Sequence, residues 1–237
     1  MTEPNSLDQK VIIYDDTCPL CNAYTGAFVR TGLLSAEGRQ CFSTASPEVM
    51  AALDLDRSRH EIPLYDRVTG KTLYGMDSLF FILGNRWAWL KPLFGNGVFR
   101  AIIYQFYQLI TYNRRIIAGS MPSTEGFDCA PDFNMRYRSL YIVLALLISG
   151  LLASTFGASL FMTTVFCAVA ALLGVFFVPQ KMDFLGHWAT VGLLAQGILL
   201  PLHLLPLPNN VWVGLYILAF GFFFARRMRL LWAIAQK

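Results

Sequence analysis

The sequence predicts an N-terminal α/β domain followed by an all-α bundle of four membrane-spanning helices. Three observations predict it. Two stretches of 42 residues, Ser139 to Gln180 and Phe184 to Ala225, contain no Asp, Glu, Lys or Arg. Before them, short apolar runs alternate with helical patterns. A Cys18-Pro19-Leu20-Cys21 pair falls at the first junction between a run and a helix.

The apolar half follows from length. One span needs roughly 20 apolar residues, so each stretch holds two spans and a turn. Breakers place the turns at Gly157-Ala158-Ser159 and at Pro206 to Asn210. The expected helices are 139–156, 159–178, 184–205 and 210–226. Composition agrees. The chain is 55% hydrophobic and 14% charged, where a soluble chain is nearer ~25% charged. Residues 1–138 hold 14 basic and 14 acidic side chains, so the formal +4 lies entirely in residues 139–237. Its basic residues sit where apolar stretches end, which suits a bilayer surface and excludes a nucleic-acid patch.

Those charges orient the bundle. Arg136 and Arg138 precede the first helix, Lys181 separates the second and third, and Arg226, Arg227 and Arg229 follow the fourth. The opposite turns carry no charge. The positive-inside rule then puts both termini in the cytoplasm of a multi-pass protein of the inner or cell membrane. No cleavable signal peptide is visible in the polar start from Met1 to Lys10. The tail Leu230 to Ala235 is expected at the interface. Within the spans the ionisable residues are His187 and His203, about 24 Å apart along one helix. They read as interfacial histidines, and Cys167 reads as a small buried hydrophobe. The lack of charge in the spans argues against a transporter.

The first half reads as strand, helix, strand, helix, strand, strand, helix. Val11 to Tyr14 is a buried strand, and a helix runs from the cysteines to Thr31-Gly32. A second strand covers Arg39 to Ser43, and Ser46-Pro47 opens a helix through Leu53. A hairpin follows over Glu61 to Gly75, then a helix over Met76 to Leu83. With Cys-x-x-Cys at the first strand–helix junction, this is the thioredoxin plan. Ile62-Pro63 stands where that fold places a cis proline beside the dithiol. The amphipathic segment Val98 to Thr111 packs on the domain core or lies on the membrane, helped by Trp87 and Trp89. The domain is expected over 1–118, a linker over 119–138, and the bundle with its basic tail over 139–237.

The cysteine pair is the candidate catalytic site. A helix N-terminus carries partial positive charge and unpaired N–H groups. Both favour a thiolate and lower its pKa. Cys18, expected nearer solvent, is the nucleophile that forms a mixed disulfide, and Cys21 resolves it. Pro19 fits the first helical turn. Asp15 or Asp16 relays the Cys21 proton or is a plain loop carboxylate. Cys41 is expected to be buried in its strand. Cys129 is a candidate third thiol or an incidental loop cysteine. Zinc is the competing use of the pair, with Cys41, Cys129 and His60 as further ligands, but no second Cys-x-x-Cys completes a site. No metal and no cofactor is therefore expected.

The stretch Tyr14-Asp15-Asp16-Thr17-Cys18-Pro19-Leu20-Cys21-Asn22 resembles the opening signature of the DCC family, predicted thiol–disulfide oxidoreductases named for an Asp, Cys, Cys pattern. The likeness continues through Tyr74-Gly75-Met76-Asp77-Ser78, Tyr112-Asn113-Arg114-Arg115 and Cys129-Ala130-Pro131, over residues 10–135. It implies roles for Asp15, Cys18 and Cys21. Asp16 departs from the family's usual Gly and adds a negative charge near Cys18 that opposes thiolate formation. The expectation is a membrane-anchored thiol–disulfide oxidoreductase acting mainly as a reductase, with Pro19, Pro63 and Asp15 in support. Its partners are a protein or small-molecule disulfide, the lipid bilayer and a membrane protein. The alternative is an assembly module whose cysteine pair binds a metal or is structural.

Overall fold

A computed structural model of the chain describes residues 7, 9–120, 131–178, 180–202 and 204–235. The chain divides into two compact units, Met1–Phe133 and Asn134–Lys237.

The first unit is built on a small mixed sheet. Strand β1 (Lys10–Tyr14) leads into helix α1 (Pro19–Arg30), then β2 (Arg39–Cys41). A 3-10 turn precedes helices α2 (Pro47–Ala52) and α3 (Leu55–His60). The hairpin β3 (Pro63–Asp66) and β4 (Thr72–Tyr74) runs into α4 (Gly75–Arg86). Helices α5 (Lys91–Gly95) and α6 (Gly97–Ala118) complete the unit. The strand order is β2-β1-β3-β4. β1 pairs parallel with β2 and antiparallel with β3, and β3 pairs antiparallel with β4.

The central strand explains the layers. Val11, Ile12 and Ile13 are all fully buried, because β1 has a neighbour on each edge and a core on each face. Side chains alternate along a strand. Ile12 therefore packs with Leu34, Ile62, Leu64 and Ile82 on one face, and Val11 and Ile13 pack with Phe42 and Leu53 on the other. Each such side chain stabilises the unit by about 1.5–3 kcal/mol.

Several boundaries differ from expectation. The helix expected from Ser46 through Leu53 is α2, and a further short helix, α3, follows it because Asp54 accepts from the Arg57 N–H at 3.0 Å and caps a new start. Helix α6 is a 22-residue element that outruns Val98–Thr111 at both ends. Its two halves differ. Val98, Ile102, Phe106 and Ile110 stay exposed, whereas Gln108, Thr111, Asn113 and Ile116 are buried. The core-packed half is thus the C-terminal one.

The second unit is helical: α7 (Met135–Thr155), α8 (Ala158–Gly174), α9 (Lys181–Leu199) and α10 (Asn209–Ala235). Three of these are long and apolar enough to cross a membrane, in α7, α9 and α10. The fourth expected span is shorter. α8 has 17 residues and ends in a 3-10 turn at Val175–Phe177, two positions before Pro179, which disfavours helix in the residue preceding it. α10 runs on past Ala225 to Ala235, so the expected interfacial tail is a continuation of that helix. The expected linker also shrinks, since Met135–Arg138 form the first turn of α7.

Two turns lie together at one end of this unit. Gly157, at φ +108, sits where a Cβ would meet the Asn209 side chain at 3.5 Å. The positive φ favours glycine there. Beside them Phe156 packs on Trp212 with ring centroids 5.2 Å apart.

Candidate active site

The dithiol is placed by a tight loop and a helix start. After β1, the Asp15 carboxylate accepts from the Thr17 N–H at 2.9 Å and the Thr17 hydroxyl at 2.6 Å. The Cys18 N–H donates to the Asp15 carbonyl at 3.3 Å. This turn sets Cys18 at the N-cap of α1 with Pro19 first in the helix. The Cys18 sulfur takes the place of the usual capping oxygen and accepts the Cys21 N–H at 3.4 Å.

The two sulfurs are close and unlike. The Cys21 thiol donates to the Cys18 sulfur, which is the main reason the Cys18 pKa falls to about 6. Burial opposes that shift, while the Cys21 amide and the charge of Arg114 assist it. Cys21 is pushed strongly up, first by its bond to Cys18 and then by burial. The shared bond therefore favours the thiolate on Cys18 and the proton on Cys21.

Access is narrower than expected. Cys18 is 2% exposed and Cys21 5%, so Cys18 is not the residue nearer solvent. The cause is the cap itself, which turns the Cys18 sulfur back over the first helical turn. Thr17, Pro19 and Asn22 around the pair are exposed, so the thiols lie one side chain below the surface. A cavity of about 10 Å³ reaches the pair from the side of Cys21, lined by Asp15, Tyr24, Pro63 and Arg114 among others. It is at the lower limit for one water.

Pro63 thus borders the dithiol, but its peptide is not cis: no cis bond occurs among the described residues. The Ile62 carbonyl is engaged elsewhere. It accepts the Gly75 N–H at 2.9 Å and the Ser78 hydroxyl at 3.2 Å, extending the hairpin into α4. Gly75 has φ +57, and a Cβ there would meet Glu61 at 3.1 Å. The Ile62 N–H donates to the Tyr107 hydroxyl at 3.3 Å. Tyr107 is pushed up to about 12 by burial, so it stays neutral.

The other expected residues scatter. Asp16 accepts from Ser43 at 2.8 Å, which ties it to the end of β2. Cys41 is half-buried rather than buried, since β2 is an edge strand. Ser43 donates to its sulfur, and Thr44 lies 3.0 Å from it. Burial raises the Cys41 pKa, but these two contacts outweigh it and the net shift is down. His60 pairs with Asp132 at 3.6 Å. No group of three or more His, Cys, Asp or Glu able to hold a metal occurs among the described residues. Cys167 is half-buried against the core of the helical unit, and His187 is buried within that unit. Cys129 and His203 lie outside the described residues.

Two residues near the dithiol are not legible as site residues from spacing. Arg114 arrives from α6, more than ninety positions away, and also donates to the Arg59 carbonyl at 3.2 Å. Tyr107 arrives from the same helix. The signal for Arg114 is the Asn113-Arg114 pair itself, a buried amide followed by a basic residue near the end of an amphipathic helix. No family model, curated protein or solved structure matches this chain.

Proposed function

We propose that this protein is a membrane-anchored thiol–disulfide oxidoreductase working through Cys18 and Cys21. The observation that carries the proposal is the division of labour at the start of α1: the Cys21 amide and thiol both serve the Cys18 sulfur. In the first step the Cys18 thiolate attacks a disulfide. The Cys18–target S–S bond forms, the target's own S–S bond breaks, and one target sulfur leaves as a thiolate. Cys21 then loses its proton and attacks Cys18. The Cys18–Cys21 disulfide forms and the second target sulfur leaves. The target gains two electrons and the protein loses two. A reducing thiol returns them by the same exchange in reverse.

The site residues divide by role. Cys18 is the nucleophile and Cys21 the resolving thiol. Arg114 favours the thiolate, and Asp15 opposes it while holding the loop. The strand order and the crossing from β1 through α1 to β2 support a thioredoxin-like fold, and the quoted motifs support kinship with the DCC family. The three long apolar helices support a membrane anchor. In this reading α8 crosses as well, and the basic ends face the cytoplasm.

Burial of both thiols favours a second reading, in which the pair is structural and the helices recruit a membrane partner. Trapping separates the two. Incubation of Cys21→Ser with a disulfide-linked reporter peptide is expected to accumulate a mixed disulfide on Cys18, and Cys18→Ser to form none. Equal, background labelling of both variants supports the structural pair.

A further inference from the structure

The sheet unit exposes a set of apolar side chains on α6 and the segment that leads into it. Val98, Ile102, Phe106 and Ile110 recur every fourth residue and are each at least 49% accessible. They form one stripe, about 18 Å long at 1.5 Å per residue. A helix that faces water carries polar residues on its outer side. Here the sense is reversed, since Gln108, Thr111 and Asn113 are among the buried residues of α6. The preceding segment adds Trp87, Trp89 and Leu93, all exposed.

Packing holds this surface in place. Phe80 of α4, Phe94 of α5 and Phe99 of α6 lie with ring centroids 4.3 to 6.3 Å apart. The Arg100 guanidinium pairs with the Asp77 carboxylate at 2.6 Å. A groove of about 620 Å³ lies among the same helices, with Phe80, Phe94, Lys91 and Arg100 in its walls. The charge of the region has one sign. From Ser78 to Thr124 the sequence has five basic residues and no Asp or Glu. Arg86 and Lys91, which flank the two tryptophans, are exposed. Apolar surface of this kind marks a site of interaction. Tryptophan beside Lys and Arg settles at the headgroup level of a bilayer, and a helix with such an apolar face lies in the plane of that interface. A second copy of the chain would set like charges against each other, whereas an anionic bilayer attracts them.

We propose that the two tryptophans and the α6 stripe seat the sheet unit in the headgroup layer of an anionic bilayer. The apolar side chains enter the interface, and Arg86 and Lys91 meet lipid phosphates. The proposal rests on the membrane-anchored reading, through the three helices of spanning length in the same chain, and not on the redox chemistry. A tethered unit meets its bilayer at high effective concentration, so a modest patch suffices. Arg114, one turn beyond Ile110 on α6, lines the cavity beside Cys21. Seating α6 therefore holds the dithiol near the bilayer surface.

The test uses the full chain reconstituted in vesicles with a trace of phosphatidylcholine that carries a diazirine on its acyl chain. After illumination the protein is digested and the adducts are mapped by mass spectrometry. In vesicles of mixed phosphatidylglycerol and phosphatidylcholine, adducts are expected on Trp89, Ile102 and Phe106. Their yield is expected to be about ten times that on Val68, an exposed apolar residue in the turn between β3 and β4. Arg86→Glu combined with Lys91→Glu is expected to cut the patch yield about tenfold, and vesicles of phosphatidylcholine alone to cut it severalfold. Arg67→Glu, in the same turn as Val68, is expected to leave it unchanged. Adducts on α7, α9 and α10 in the same digest report the anchor separately. With those present, a patch yield no higher than that of Val68 overturns the proposal, as does a patch yield indifferent to both lipid charge and the double substitution. Without them, the membrane-anchored reading itself falls, and the proposal with it.

Discussion

The two units place their polar and apolar side chains in opposite senses. The sheet unit hides Val11, Ile12, Ile13, Leu64 and Ile82 in its interior. The helical unit exposes Leu151, Phe166, Phe176 and Leu218, each more than 60% accessible, and buries Arg138, His187, Gln196 and Arg227. In its interior the Gln196 amide donates to Thr164 at 3.2 Å. The same physical rule produces both patterns. Apolar surface leaves water, and where the surrounding medium is itself apolar, polar groups find partners inside instead. The dithiol belongs to the sheet unit and is buried like a core residue, while the Cys21 hydrogen bonds and the charge of Arg114 lower the Cys18 pKa.

The largest expected effect breaks the chemistry of the sheet unit alone. Cys18→Ser is expected to abolish reporter-disulfide reduction to background, with the helical content and thermal midpoint kept. Disulfide turnover and circular dichroism of the wild type and this variant check it.

Next in size is a contrast in packing. Ile82→Ala, at 0% exposure, is expected to destabilise the sheet unit by about 2–5 kcal/mol. Phe166→Ala, at 73% exposure, is expected to change stability in detergent by less than about 0.5 kcal/mol. Denaturant titration of the two variants checks the pair. A reversed order breaks the comparison.

An ion pair gives a smaller, pH-dependent effect. Lys10 and Asp66 join β1 to β3, both largely buried. The Lys10 ammonium is the main reason that the Asp66 carboxyl is held well below the usual carboxylate range. A depressed carboxyl contributes stability above its unfolded pKa, near ~4, and that contribution is lost as pH falls below it. Asp66→Asn is expected to cost about 1 kcal/mol at pH 7 and to narrow towards wild type below pH ~4. Stability curves at several pH values check it.

The smallest effect tests the neighbourhood of the thiol. Arg114 lowers the Cys18 pKa, so Arg114→Gln is expected to move the midpoint of Cys18 alkylation upward in pH. Asp15 raises it, so Asp15→Asn is expected to move the midpoint down. Rates of iodoacetamide labelling between pH 5 and 9 check both signs.

Much of this was legible in the sequence, for reasons that differ by element. The long uncharged stretches predicted apolar helices because composition alone sets their medium. The strand–helix order followed from periodicity, and the cysteine pair from its spacing. What was not legible depends on tertiary placement. The 3-10 end of α8 shortens a span that hydropathy extends to Val178. The Ile62-Pro63 peptide is trans where analogy suggested cis. Arg138 and Arg227 read as flanking charges because they end apolar runs, yet the packing of the helical unit draws them inward. Arg114 reaches the dithiol, and Tyr107 the Ile62 amide, from a helix that sequence spacing does not connect to them.

The account turns on whether Cys18 and Cys21 exchange electrons with an outside thiol. Equilibration of the full chain in glutathione buffers of graded ratio, followed by acid quench, alkylation and mass mapping, measures this directly. The prediction is a single reversible two-electron transition confined to Cys18 and Cys21, with Cys41 and Cys167 still alkylated at its midpoint. Cysteines 18 and 21 that remain reduced across the whole range, or that oxidise only once the protein unfolds, contradict it.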